Sequence, residues 1–309
     1  MNILVWLILC LLWGTTWSFI KIGLADLPPI TFAAVRFILA ILILLPVIQL
    51  RRLPWPNSSA AWKLIALTGF LQFSLNYSSV FWAEQHITSG LAAVLQSMIP
   101  VFGLLLAWIF LPAERITWLK IVAVLLGFFG VVVIFIDQLR IENWMAFLGC
   151  VAIVAGAYCA AQASILVKLR AGEMHPASLV CAQMVAGLPA LVIYALIAEG
   201  NPMTFKWTWS AVGCIIYLSV LGTIAAFWLY YWLLSRIEST KAMVISLVTP
   251  LIAVVIGAVF LDERLPPQTL LGGISIIASI GLIVIRRRAR GDHGLTNNEK
   301  NVLQIHNSG

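Results

Sequence analysis

Apolar runs of about twenty residues, the length of a helix that crosses a hydrocarbon core, recur from Ile3 to Ile285 with only brief polar breaks. Inside a bilayer every backbone amide and carbonyl must be paired within the protein, so such runs commit the chain to transmembrane helices. Composition agrees: of 309 residues, 62% are hydrophobic and 10% charged, against roughly 25% charged in an average soluble domain. Breaking the sequence at its charged and proline-bearing gaps predicts ten spans, at 3 to 24, 30 to 50, 63 to 83, 89 to 111, 117 to 136, 144 to 166, 176 to 197, 211 to 235, 240 to 261 and 268 to 285. The expected fold class is all-α integral membrane. The first stretch lacks a basic leader and is too long for a signal core, so it counts as a span.

Basic residues in short loops stay on the cytoplasmic side. The even loops and the tail carry fourteen (Arg51, Arg52, Lys63, Arg115, Lys120, Lys168, Arg170, Arg236, Lys241, Arg286, Arg287, Arg288, Arg290 and Lys300), the odd loops four (Lys21, Arg140, Lys206 and Arg264). That bias predicts both termini in the cytoplasm of a cell-membrane protein. The same scatter at span ends reads the net charge of +7 as a fit to an anionic bilayer face, not to nucleic acid. Residues 289–309 turn polar and are expected to form a disordered cytoplasmic tail. The five cysteines fall inside apolar runs without a C-x-x-C pair, and the four histidines lie in loops and tail. No metal site, cofactor or enzymatic cluster of nucleophiles and acids is expected from them.

The chain also repeats itself. A shift of 150 lays Trp82 on Trp232, Ala92 on Ala242 and Pro100 on Pro250; a shift of 147 pairs Lys21 with Lys168 and Pro29 with Pro176. Five spans per half is odd, so the halves are expected to be inverted, residues 1–138 against 139–288. Inverted halves are a mark of alternating-access carriers, with the site near the midplane between them. The sequence resembles the ten-span EamA-type branch of the drug/metabolite transporter superfamily. The resemblance rests on Leu12-Trp13-Gly14 with Phe19, on Ala34-Val35-Arg36-Phe37, and on the stretch from Ser89 through Pro100 to Glu114-Arg115-Ile116-Thr117, repeated as Ser239 through Pro250 to Asp262-Glu263-Arg264-Leu265. It implies a secondary transporter of a small metabolite, such as an amino-acid-like or amphipathic solute, with a cavity lined from both halves, working as a monomer or homodimer. The alternative is a non-transporting membrane scaffold or receptor.

Candidate site residues follow from the cost of polarity in oil. Arg36 is the charged side chain set well inside a span, about 9 Å of helical rise from its start, and is expected to tie off carbonyls at a helix junction or to anchor substrate. Pro100 and Pro250 each delete one helical hydrogen bond near the midplane, so kinks are expected there, with the carbonyls of Gln96 and Ser246 freed toward the cavity. Gln72 with Asn76, Tyr158 with Gln162, and Trp13 with Trp17 stand four apart, on one helix face each. Their amides, costly against lipid, are expected to face inward. Every acid lies at a span end or in a loop, so a midmembrane carboxylate relay is not expected; Glu84 is a loop-edge candidate.

Overall fold

The computed structural model describes residues 1–87, 89–139, 141–172, 174–260 and 267–285. The tail and the Glu263-Arg264 pair lie outside these residues. Ten helical spans occupy the described residues. They are α1 (Asn2–Gly23), α2 (Pro29–Leu50), α3 (Ser59–Ala83), α4 in two pieces (Ser89–Gln96 and Ile99–Phe110) and α5 (Trp118–Ile134). The second set is α6 (Trp144–Arg170), α7 (Pro176–Ala198), α8 (Trp209–Leu234), α9 in two pieces (Ser239–Met243 and Ile245–Phe260) and α10 (Pro267–Ile285). Every predicted span is found, with ends displaced by at most four residues.

The starts are set by local chemistry. Ser58, Thr117, Asn143 and Thr208 each accept a hydrogen bond from the amide three residues on, which satisfies one of the orphan donors of a first turn. Pro29, Pro176 and Pro267 occupy the first helical position, where a missing amide costs nothing. Outward faces carry bare apolar side chains such as Leu42, Phe129, Ile193 and Ile274, as a lipid-facing surface must. Trp118, Trp144 and Trp209 stand exposed at helix ends, where indoles meet headgroups.

The helices pair as a duplicated object. α2 packs on α7 and α5 on α10; α4 packs on α6 as α9 does on α1, and α3 on α7 as α8 does on α2. Exchanging α1–α5 with α6–α10 maps each pairing onto itself or another of the set, so the molecule is two inverted five-helix halves. The α5–α10 pair crosses at Gly130 and Gly272, where a Cβ on either would overlap the other's carbonyl, and Ser279 Oγ donates to Ala123 O over 2.6 Å.

Four irregular stretches interrupt the helices. Phe70–Asn76 in α3 and Val220–Ala225 in α8 are π-helical, and a shift of 150 superposes their starting positions. α4 breaks between Gln96 and Ile99, so Pro100 begins a new helix instead of kinking an old one. α9 breaks at Val244, and Pro250 sits inside the continuous second piece. The expected kink at Pro100 is corrected to a helix start, while Pro250 stands inside a helix as expected. The Ser246 carbonyl has only long side-chain contacts among the described residues, from Ser97 Oγ at 3.3 Å and Thr249 Oγ1 at 3.4 Å, because the Ser97 hydroxyl makes its short bond, 2.7 Å, to Ala93 O.

Candidate functional site

The irregular stretches meet around a cavity of about 160 Å³ lined from α1, α2, α3 and α4 of the first half and α6, α8 and α9 of the second. A π turn widens the helix and leaves carbonyls poorly paired, which is tolerated in a membrane only where side chains or a wet cavity satisfy them. Here the Gly222 carbonyl of α8 accepts from Trp13 Nε1 and from Arg36 Nη2, each over 3.3 Å. Gly222 is needed because Thr16 of α1 lies against it, within overlap distance of any Cβ.

Arg36 is 2% exposed and lines the cavity. Its Nε donates to Thr223 Oγ1 over 2.8 Å, its Nη2 also reaches the Tyr77 hydroxyl at 3.4 Å, and its guanidinium lies 5.2 Å from the Tyr77 ring centre. Nη1 is buried without a hydrogen-bond partner. Its counterpart Gln183 on α7 donates to Thr68 Oγ1 of α3 over 2.6 Å, so each half's second helix ties to the other half's third.

Of the residues singled out in the sequence, Trp13, Trp17, Arg36, Gln72, Asn76, Gln96 and Ser246 line the cavity together. Gln96 Nε2 donates to Asn76 Oδ1 over 3.0 Å, while Gln96 Oε1 is buried and unpartnered. Trp13 meets Phe227 at 5.5 Å and Tyr230 at 5.3 Å between ring centres. Tyr158 and Gln162 are not among the lining residues. Tyr158 is 44% exposed on the outer side of α6, edge-on to Phe102 at 5.7 Å, and the Gln162 Oε1 is buried and unpartnered. The expectation that this pair lines the cavity is thereby corrected, although the Gln162 amide oxygen is buried from lipid as expected. α6 instead turns Ala160 and Ser164 inward, and Tyr230 donates to Ser164 Oγ over 3.0 Å. The run of alanines before Ser164 was the available signal: small residues mark the crowded face of a span. Tyr77 and Phe227 escaped sequence reading because an aromatic inside a span is equally a packing residue.

Among the described residues no carboxylate lines the cavity. Two carboxylates instead cap helices of the opposite half. Glu199 accepts from Ile30 N, Thr31 N and Thr31 Oγ1, each over 2.7 Å. On the other face of the molecule Glu114 accepts from Ser239 N and Ser239 Oγ over 2.9 and 2.7 Å. A carboxylate suits the positive end of a helix dipole. Glu84, just past α3, has its carboxyl pushed up to about 7 by burial.

A cavity bounded by broken helices from two repeated halves is an arrangement that membrane transporters use. The model of the EamA-like transporter family matches residues 1–136 and again 147–285, and the chain belongs to that family. It is a multi-pass membrane transporter and not an enzyme. An uncharacterized transporter of Archaeoglobus fulgidus is 29% identical over 287 residues, covering 92% of this chain and 99% of that one. The uncharacterized inner membrane transporter YedA of Escherichia coli K12 is 28% identical over 81% of this chain and 79% of its own. A probable amino-acid metabolite efflux pump of the same organism is 26% identical over 92% and 95%. A crystal structure with a TM-score of 0.77 and 17% identity covers 93% of this chain and 98% of its own, a likeness of fold.

Proposed function

We propose that the protein exports a small amino-acid-like or amphipathic metabolite by alternating access, binding it in the cavity shared by residues 1–138 and 139–288. The observation that carries this reading is the cavity's mixed wall. Trp13, Trp17 and Phe227 offer aromatic faces, Gln72, Asn76 and Gln96 offer amides, and Arg36 Nη1 offers a buried donor with no partner. An apolar enclosure with a few placed polar groups is what a small-molecule site requires. A carboxylate end of the solute meets Nη1, and an apolar end lies against the tryptophans. The similarity to a probable amino-acid metabolite efflux pump supports the substrate class. The even loops face the cytoplasm by their basic excess.

The test is a screen of amino acids and their amphipathic derivatives for uptake and efflux by purified protein in liposomes. Saturable flux of a carboxylate-bearing solute is expected. Folded, correctly inserted protein that moves none of them, in either direction, contradicts the proposal and favours the scaffold reading.

A further inference from the structure

A second concavity, about 860 Å³, opens between the α2–α3 and α6–α7 connections, away from the central cavity. Two helix N-termini border it. α3 starts behind Ser58, and α7 starts behind His175, whose Nδ1 accepts from Ala177 N over 3.2 Å. Lys63 and Arg170 line it with exposed side chains, and neither has an ion-pair partner among the described residues. Ser178 also lines it; this residue is 1% exposed, and its hydroxyl is buried without a partner. A buried hydroxyl left unpaired costs free energy that a ligand can recover. The two connections and their flanks hold Arg51, Arg52, Lys63 and Arg170 against a single acid, Glu173, while Lys168 is turned away to the Leu234 and Ile237 carbonyls.

Two positive helix ends, two cations with no ion-pair partner among the described residues and an unpaired hydroxyl select an anion with several acceptor oxygens. The rest of the wall decides where that anion comes from. Leu64, Leu67 and Leu166 form an apolar side, and Leu67 is 50% exposed on the lipid-facing flank of α3. Trp55 lines the rim, 37% exposed, at the end of the span where indoles sit among headgroups. We infer that the groove seats an anionic phospholipid, its phosphate held by Lys63, Arg170, Ser178 and the α7 N-terminus, and an acyl chain laid along Leu67. A lipid there bridges α3 of one half to α6 and α7 of the other.

The experiment is a melting titration of the purified full-length protein in neutral detergent with phosphatidylglycerol, phosphatidylcholine or inorganic phosphate. Phosphatidylglycerol is expected to raise the melting midpoint, and the other two are not. The double change Lys63→Gln with Arg170→Gln is expected to weaken the phosphatidylglycerol response on the order of thirtyfold in concentration, Lys63→Gln alone about fivefold. Arg236→Gln, which removes an exposed cation stacked on Trp232, keeps the full response. An equal shift with phosphatidylcholine, or an undiminished response in both Lys63→Gln and the double variant, overturns the assignment. A shift reproduced by inorganic phosphate alone overturns the lipid in favour of a soluble anion.

Discussion

Arg36 Nη2 and Trp13 Nε1 converge on one atom, the carbonyl oxygen of Gly222, each over 3.3 Å. That oxygen belongs to the π segment of α8, so the first half completes the hydrogen bonding of the second at the wall of the cavity. Arg36→Ala removes the charge-assisted bond to Thr223 as well, at about 1.5–3 kcal/mol per such bond. The expected outcome is a marked fall in folded protein, measured by fluorescence-detected size exclusion. Arg36→Lys recovers part, because a point ammonium cannot fork between Thr223 and Gly222. Folded Arg36→Lys is expected to show a raised KM for carboxylate-bearing solutes. Wild-type abundance of Arg36→Ala contradicts the tie to α8.

Glu199 and Glu114 cap α2 and α9 from the opposite half, at opposite faces of the membrane. Exchange of either carboxylate for an amide keeps the shape but loses the charge and one acceptor. Glu199→Gln and Glu114→Gln are each expected to cost about 1–2 kcal/mol, read as lowered melting midpoints. The sites share no partner, so the double variant falls by the sum. A strongly sub-additive double variant contradicts two separate clamps.

Glu84 supplies a pH dependence. Burial raises its pKa from 4.5 to about 7, so the folded state holds this proton more tightly than the unfolded state does. Its contribution is most favourable below about pH 4.5 and is lost as pH rises toward 7. Glu84→Gln, neutral throughout, is expected to raise the melting midpoint at about pH 8 and to leave it nearly unchanged near pH 4.5. Equal shifts at both pH values contradict a buried titrating carboxyl.

The spans were legible because a bilayer enforces length and apolarity at once, and the pairing of Trp82 with Trp232 and Pro100 with Pro250 exposed the duplication. Arg36, Gln72, Asn76 and Gln96 could be found because polarity inside oil needs a reason. The π segments could not, since Phe70–Asn76 carries no residue that forbids an ordinary α-turn. Tyr158 and Gln162 misled because four-residue spacing fixes a common face but not its direction, and a phenol at a span's flank can lie in lipid. The prolines marked the irregular helices but not the break points, since Pro100 starts a helix and Pro250 sits within one.

Gln96 tests, with least structural disturbance, whether the cavity between the halves binds the transported solute. Gln96→Leu loses the donor to Asn76 but also an acceptor that has no partner, so folding is expected to survive. Initial transport rates across substrate concentrations, in liposomes, should show KM raised up to about tenfold, the weight of one hydrogen bond. Gln96→Asn should give a smaller rise. Ser246→Ala should act mildly, because that hydroxyl already donates to Met243 O over 2.9 Å. Unchanged kinetics in Gln96→Leu, with folding verified, would contradict a solute site at this cavity wall.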